Sequence, residues 1–210
     1  MPEKFILDLE RKLQGPLPGR ESQLKMAHIT RRLYVEAPDG ARQAAVLAAL
    51  FQKNSEWHVV LIERNANDRD HHGGQISFPG GKYEPTDPSL LDTALREAEE
   101  EVGLSQKEVN VLGRLTDLYI PVSNFQVHPF VGYLTRPPAY CLQAEEVSAV
   151  LEVPLSAFCR QETSKTTDIR IAPQLTLKNV PYFDVNGKVL WGATAMILHE
   201  LVDLVKNDGT

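Results

Sequence analysis

The residues that decide the fold run Phe78-Pro79-Gly80-Gly81-Lys82, then Asp87-Pro88, then Arg96-Glu97-Ala98-Glu99-Glu100-Glu101-Val102-Gly103-Leu104. They read as a tight glycine turn, a short loop, and one helix with its own start and stop signals. Asp87 suits the N-cap and Pro88 the first helical position. Gly103 suits the left-handed position just past the helix end. At about 100° per residue, Leu91, Ala94, Leu95, Ala98 and Val102 share one face, the expected core face. Glu97, Glu100 and Glu101 gather on another, because residues three and four apart are neighbours on a helix. Asp92 and Glu99 point to solvent. Arg96 stands one turn before Glu100 and is placed to brace it.

Such a helix is badly arranged for stability alone. Glu97 and Glu101 are like charges at i,i+4, which costs about 0.2–0.5 kcal/mol. The carboxylates also lie in the C-terminal half, where the helix dipole is negative and each charge costs about 0.3–1 kcal/mol. A bound cation reverses the sign of both effects, and carboxylates are hard oxygen ligands suited to Mg2+ or Mn2+. A solvated acidic face is the plainer reading of a glutamate run. The flanking glycines and helix signals favour the cation.

Gly81 to Leu104 resembles the Nudix box: Gly, five residues, Glu, seven residues, then Arg-Glu-apolar-any-Glu-Glu-any-Gly-apolar. Arg96, Glu97, Ala98, Glu100, Glu101, Gly103 and Leu104 match every specified position of the right half. In the left half Asp87 stands where the family has Glu, and the gap to Arg96 is one residue longer. The resemblance implies an α/β/α sandwich and a metal-dependent pyrophosphohydrolase. Under it Glu97 and Glu101 ligate Mg2+ or Mn2+, and Glu100 ligates the metal or takes the proton from the attacking water. Arg96 holds a glutamate in place, and the Gly81 carbonyl adds a ligand.

The stretch before the box narrows the resemblance to the coenzyme A pyrophosphatase branch of that family. Arg64, Arg69, Gly73 and Phe78-Pro79-Gly80-Gly81 follow that branch's second signature, with departures at Glu63 and Asn65 and one extra residue before Phe78. The substrate implied is coenzyme A or an acyl-CoA, cut to 3′,5′-ADP and 4′-phosphopantetheine. Arg64 and Arg69 are candidate phosphate ligands, since a guanidinium fork matches phosphate oxygens; surface ion pairs are the plainer alternative. Gly80 and Lys82, on the turn, are expected at the substrate too. His71 and His72 are weaker candidates in the same polar loop. Glu146, before the Val153-Pro154-Leu155 stretch, is read first as a solvated loop glutamate and second as a group reaching the site. Two rivals stand beside this reading. One is a Nudix enzyme for ADP-ribose or an oxidised nucleoside triphosphate. The other is a non-catalytic nucleotide-sensing domain, which its three intact glutamates disfavour.

The 210 residues suit one domain, divided as a helical extension over 1–30 and the catalytic domain over 31–210. With 42% hydrophobic and 24% charged residues the chain can bury a core. A net charge of -6 argues against a general nucleic-acid surface. No run of about 18 apolar residues is present, so no membrane span is expected. Cys141 and Cys159 lack metal spacing and are expected as free thiols of a cytoplasmic protein. A nucleotide substrate is the expected partner, and a homodimer is left open.

Residues 3–14 carry Phe5, Ile6, Leu9 and Leu13 at helical spacing, and Gly15–Gly19 reads as a stiff linker. Asp39-Gly40 is a turn signal, and the chain between it and the linker carries no assignment. Strands are expected at Ala44–Phe51, His58–Ile62, Val109–Leu118, Gln126–Leu134, Val150–Val153, Ile169–Leu177 and Val180–Val185. A short helix follows Pro154, Asn186-Gly187 makes a hairpin turn, and an apolar helix closes the chain after Gly192. This irregular alternation predicts a mixed sheet with helices on both faces.

Overall fold

The computed structural model describes residues 2–30, 36–65, 74–160, 164–172 and 174–206. Two long strands form its spine, β1 (Arg42–Lys53) and β2 (Glu56–Arg64). Asn54 and Ser55, both at positive φ, turn one into the other so that Lys53 faces Glu56. Short strands β3 (Ile76–Ser77) and β4 (Gly80–Lys82) then lead into helix α3 (Leu90–Val102); α1 (Pro2–Leu13) and α2 (Gly19–Lys25) precede β1. After α3 come β5 (Asn110–Arg114), β6 (Leu118–Ile120), β7 (Phe125–Leu134) and β8 (Val147–Pro154). The chain closes with α4 (Leu155–Cys159), β9 (Ser164–Ala172), β10 (Leu175–Val185), β11 (Lys188–Trp191) and α5 (Gly192–Lys206).

Strands β1 to β8 make one mixed sheet along the path β3-β2-β1-β7-β5, with β4 paired to β1, β6 to β7 and β8 to β2. The β1–β7 pair is parallel and the others are antiparallel. A second sheet of three strands runs β11-β10-β9. Side chains of a strand alternate between faces, and here both faces are covered. Ala45, Leu47, Ala49 and Phe51 of β1, with Val60 and Ile62 of β2, pack on Ala94, Ala98 and Val102 of α3. Ala48 and Leu50, with Val59 and Leu61, pack on α1 and α5 through Ile6, Leu9, Leu198 and Leu201. The continuous apolar run of β1 is what a strand needs when it is buried on both sides. The result is the expected α/β/α sandwich.

Helix α1 joins that second core rather than hanging from it. Phe5 stacks on Trp57 with ring centroids 5.0 Å apart, and a Cβ on Gly113 would come within 2.9 Å of Leu13 Cβ. Gly19, expected in a linker, opens α2. This helix escaped the apolar-period reading because its buried residues are Ser22 and Gln23. They are satisfied by α5: Ser22 donates to Asp203 at 2.6 Å, and Gln23 to the fully buried Glu200 at 2.8 Å.

Two expected strands divide. Val109–Leu118 breaks into β5 and β6 because the Thr116 N–H and hydroxyl turn to Glu200, at 3.2 and 2.6 Å, instead of a neighbouring strand. Ile169–Leu177 spans a chain reversal, with Ala172 of β9 paired to Leu175 of β10. Pro173 was the signal there, since proline within an apolar run argues against one continuous strand. Asn186 and Gly187, at φ 53° and 82°, make the expected hairpin. Both cysteines are free thiols, and no helix among the described residues is long and apolar enough to cross a membrane.

Glu200 ties α2, α5 and the β5–β6 link through Gly19, Gln23 and Thr116. Glu200→Leu removes the acceptor of several buried donors, and each stranded donor costs about 1–3 kcal/mol. The variant is expected to lose at least about 2 kcal/mol in denaturant unfolding, whereas an unchanged midpoint would show that water replaces the carboxylate.

Candidate active site

The turn and helix meet where β1 parts from β2. Gly80–Lys82 of β4 pairs with Ala44–Val46 of β1, and backbone contact there is close. Gly80 sits at φ 148°, and a Cβ on it would lie 2.6 Å from Val46 Cα. A Cβ on Gly81 would overlap the Glu97 carboxylate. Both positions therefore require glycine, one for conformation and approach, the other to admit a carboxylate against the main chain.

Helix α3 starts two residues later than the sequence suggests. Its N-cap is Ser89, whose hydroxyl accepts from the Asp92 N–H at 3.3 Å, so Asp87 is not the cap and Pro88 is not its first residue. Asp87 is buried and serves Arg96 instead. Arg96 donates Nε to Oδ1 at 2.8 Å and Nη2 to Oδ2 at 3.0 Å, a two-point fork. The Asp87 carboxylate also accepts from the Thr93 hydroxyl at 2.9 Å and the Glu84 N–H at 3.0 Å. The Arg96 guanidinium beside it, with those further donors, holds Asp87 well below the usual carboxylate range despite burial. The helix ends as expected: Gly103 is left-handed at φ 77°, and its N–H and that of Leu104 return to Glu99 and Ala98.

Anchored on Asp87, Arg96 presents Nη1 to Glu100 at 2.9 Å and to Glu97 at 3.1 Å. The three glutamates differ sharply in setting: their side chains are 16% (Glu97), 55% (Glu100) and 1% (Glu101) exposed. Glu101 is held by the Gly80 N–H at 2.8 Å and by Arg64 Nη1 at 3.2 Å. Burial pushes its carboxyl up to about 7; Gly80 and Arg64 pull it down, while Glu97 and Glu146 push it further up. Burial likewise raises Glu97, against Arg96 and with Glu100 and Glu146. Arg64 is thus at the box rather than on an outer surface. Lys82 turns its side chain to solvent and contributes its carbonyl, which accepts from Arg96 Nη2 at 3.3 Å. Arg69, His71, His72 and Gly73 lie outside the described residues.

Glu146 lies outside the box, and its charge reaches two of the box glutamates. Its segment docks on the end of α3, with the Cys141 N–H on the Val102 carbonyl and the Gln143 N–H on that of Glu101, both at 3.0 Å. The Asn65 N–H, next to Arg64, donates to the Glu146 carbonyl at 2.7 Å. Glu146 is exposed, yet its charge is felt by both Glu97 and Glu101. The available sequence signal was its place before the Val153-Pro154-Leu155 stretch.

The donor set suits a hard divalent cation: all-oxygen carboxylates, one buried and one half-buried within reach of each other's charge, and a glycine cradle that admits one against the main chain. In their present rotamers Glu100 is turned to Arg96 and Glu101 to Gly80 and Arg64. Accordingly, no group of three His, Cys, Asp or Glu side chains among the described residues is gathered as metal ligands. Gathering them means exchanging an arginine contact for the cation.

Clustered carboxylates on a helix, seated on a glycine turn at the splay of a mixed sheet, make the candidate centre of a hydrolase fold. Comparison with known proteins agrees. The NUDIX domain model matches residues 41–175. A protein of Photorhabdus laumondii described as an uncharacterized Nudix hydrolase, NudL, is 37% identical over 170 residues, 80% of this chain and 87% of the relative. A Yersinia pestis protein of the same description is 31% identical over 202 residues, 96% of each chain. The crystal structure of a MutT protein from Methanosarcina mazei Go1 superposes with a TM-score of 0.51 at 19% identity, covering 84% of this chain and all of that one, a likeness of fold. The chain belongs to the Nudix family, as a hydrolase of its pyrophosphohydrolase class.

The raised Glu101 carboxyl has a defined sign in stability. The folded state binds this proton more tightly than an ordinary glutamate at 4.5 does. Its contribution is complete below about 4.5 and is lost as pH rises through about 7. Chelated wild-type protein is therefore expected to melt progressively lower from pH 5 to pH 8. Glu101→Gln should lack that part of the slope, so parallel pH series for the two proteins would show that Glu101 ionises as an ordinary glutamate.

Proposed function

We propose that this enzyme hydrolyses the diphosphate of coenzyme A or an acyl-CoA to 3′,5′-ADP and 4′-phosphopantetheine or its acyl form, with Mg2+ or Mn2+, in the cytoplasm. The observation that carries the chemistry is the pair formed by the half-buried Glu97 and the buried Glu101, held against the Gly80-Gly81 turn with pKa values raised. Negative charge built up there without full compensation is a site for cations, not a fold-stabilising feature. The substrate class is supported by Arg64 together with the Phe78–Gly81 turn, the described part of the signature shared with the coenzyme A branch.

A diphosphate resists water because its own oxygens repel the nucleophile. A divalent cation at Glu97 and Glu101, with the Gly81 carbonyl beside them, supplies charge neutralisation and acidifies water. The chain supplies the rest. Arg96, fixed by Asp87, keeps Glu97 and Glu100 in register. Glu100 is the most exposed of the three and takes the proton from the attacking water or adds a third carboxylate to the cation. Arg64, now on Glu101, has a fork that fits a phosphate better than one carboxylate oxygen. Lys82 adds positive charge at the exposed edge of the turn, and Gly80 and Arg69, the latter outside the described residues, are the further groups proposed for the substrate.

A panel of CoA, acyl-CoA, ADP-ribose and oxidised nucleoside triphosphates, with the products separated by chromatography, tests the substrate class. 3′,5′-ADP from CoA as the fastest reaction is the expected result, and faster release of AMP from ADP-ribose would replace it. Turnover should vanish on exhaustive chelation.

Two variants test the roles. Glu100→Gln loses an exposed i,i+4 pair with Arg96, worth about 0.3–0.5 kcal/mol, and also relieves repulsion with Glu97. Chelated melting should barely move, while kcat falls at least about a hundredfold. A variant that melts much lower yet keeps its turnover would make Glu100 a fold residue. Arg64→Ala should raise KM more than it lowers kcat, because a phosphate grip acts in ground and transition states alike.

A further inference from the structure

Arg64 and Arg96 both reach the box glutamates, and they are held in different ways. Arg96 is anchored by a fork on Asp87, at 2.8 and 3.0 Å, and Asp87 stands outside the candidate ligand set. Arg64 touches a member of that set, Glu101, and does so with Nη1 at 3.2 Å. Well-formed charge-assisted N–H···O bonds close to about 2.7–2.9 Å. The Arg64–Glu101 contact is therefore long and made at one point.

The two oxygens of Glu101 differ in what they can give up. Oε2 accepts from the Gly80 N–H at 2.8 Å, and Gly80 is fixed in the sheet opposite Val46. Oε1 accepts from a side chain. The main chain of Arg64 is pinned, its N–H on the Gln75 carbonyl at 3.0 Å and its carbonyl accepting from the Gly74 N–H at 2.8 Å. Its side chain is 26% exposed, yet ends on a carboxylate only 1% exposed. Oε1 can change partner by rotation about side-chain bonds. Oε2 can do so only if β4 leaves β1.

A carboxylate this buried needs a positive partner at all times. A divalent cation on Oε1 would bring two positive charges onto one oxygen, where a low dielectric makes their repulsion strong. One has to leave, and the half-exposed guanidinium has solvent to enter.

We infer that Arg64 is an exchangeable counter-ion: it closes on Glu101 in the metal-free enzyme, competes with the cation for Oε1, and is released toward the substrate diphosphate as the cation binds. This rests on the reading of Glu101 as a cation ligand. It has the opposite sign to a scaffold role. A scaffold arginine holds Glu101 for the cation, so its loss weakens cation binding. A competing arginine hinders the cation, so its loss strengthens binding.

Mn2+ binding without substrate tests that sign. The EPR signal of unbound Mn2+ is followed under nitrogen at about pH 8.5, where a carboxyl near 7 is ionised, counting only the binding that Glu101→Gln abolishes. Arg64→Gln, which keeps a donor for Oε1 but not the charge, should bind Mn2+ about tenfold tighter than wild type, within the usual range of coupling between linked sites. Arg64→Lys, which keeps the charge, should return to near the wild-type affinity. Should Arg64→Gln melt early when chelated, the gain in melting temperature on adding Mn2+ must still exceed that of wild type. Weaker or unchanged Mn2+ binding in Arg64→Gln overturns the inference. So does equal tightening in Lys82→Gln, which removes an exposed charge from the same turn. Wild-type enzyme that binds no Mn2+ defeats the functional reading and the exchange together; wild-type enzyme that binds it no more weakly than Arg64→Gln defeats the exchange alone.

Discussion

Everything at this site depends on one buried carboxylate. Glu101 is the last charged residue of α3, almost without solvent, and it is tied to the backbone of Gly80 and the guanidinium of Arg64. Those two contacts hold the helix to the turn and the turn to the end of β2. A carboxylate is an expensive choice for such a junction, because an ionised group in a low-dielectric interior must be matched by hydrogen bonds and opposite charge. Here it is matched incompletely, which is why its proton is held up to about neutrality. A leucine would seal the junction better. A glutamate there is what the proposed cation site requires.

The counterweight is the Asp87–Arg96 fork. A guanidinium close to Glu97 and Glu100 would, if mobile, drift to whichever carboxylate is more exposed. Two hydrogen bonds to buried Asp87, and one to the Lys82 carbonyl, leave it a single free direction, along which Nη1 meets Glu97 and Glu100. The shorter Asp in place of the family's Glu fits a loop that is one residue longer: the chain brings the carboxylate in by main-chain path rather than by side-chain length.

How much of this was legible in the sequence follows from what each feature requires. Three features are dictated by local chemistry. The turn needs glycine at two successive positions, the helix end needs Gly103, and the core face of α3 needs apolar residues at helical spacing; all could be read directly. The start of α3 could not, because Asp87 and Ser89 are equally good caps on paper and only the position of Arg96 in space decides which carboxylate is wanted elsewhere. Helix α2 was invisible for a related reason: Ser22 and Gln23 are buried by hydrogen bonds to α5, 181 and 177 residues away, and no local period records that. The split of β5 from β6 depends on the same distant Glu200. Features set by nearest neighbours are written locally, whereas features set by a buried polar partner are written at two remote places at once.

The charge field of the box belongs to the second kind. The helix end should add negative potential through its free carbonyls, but the Cys141 and Gln143 N–H groups take those of Val102 and Glu101. The segment that relieves the helix in this way then returns negative charge through Glu146, whose backbone is fixed by the Asn65 N–H. The exchange replaces a diffuse dipole with one exposed carboxylate whose charge reaches Glu97 and Glu101. Gly103 makes it possible, since a Cβ there would come within 2.9 Å of the Cys141 nitrogen. The residue that looks like a simple helix stop is therefore also the seat on which the segment from Cys141 to Glu146 docks against the helix end.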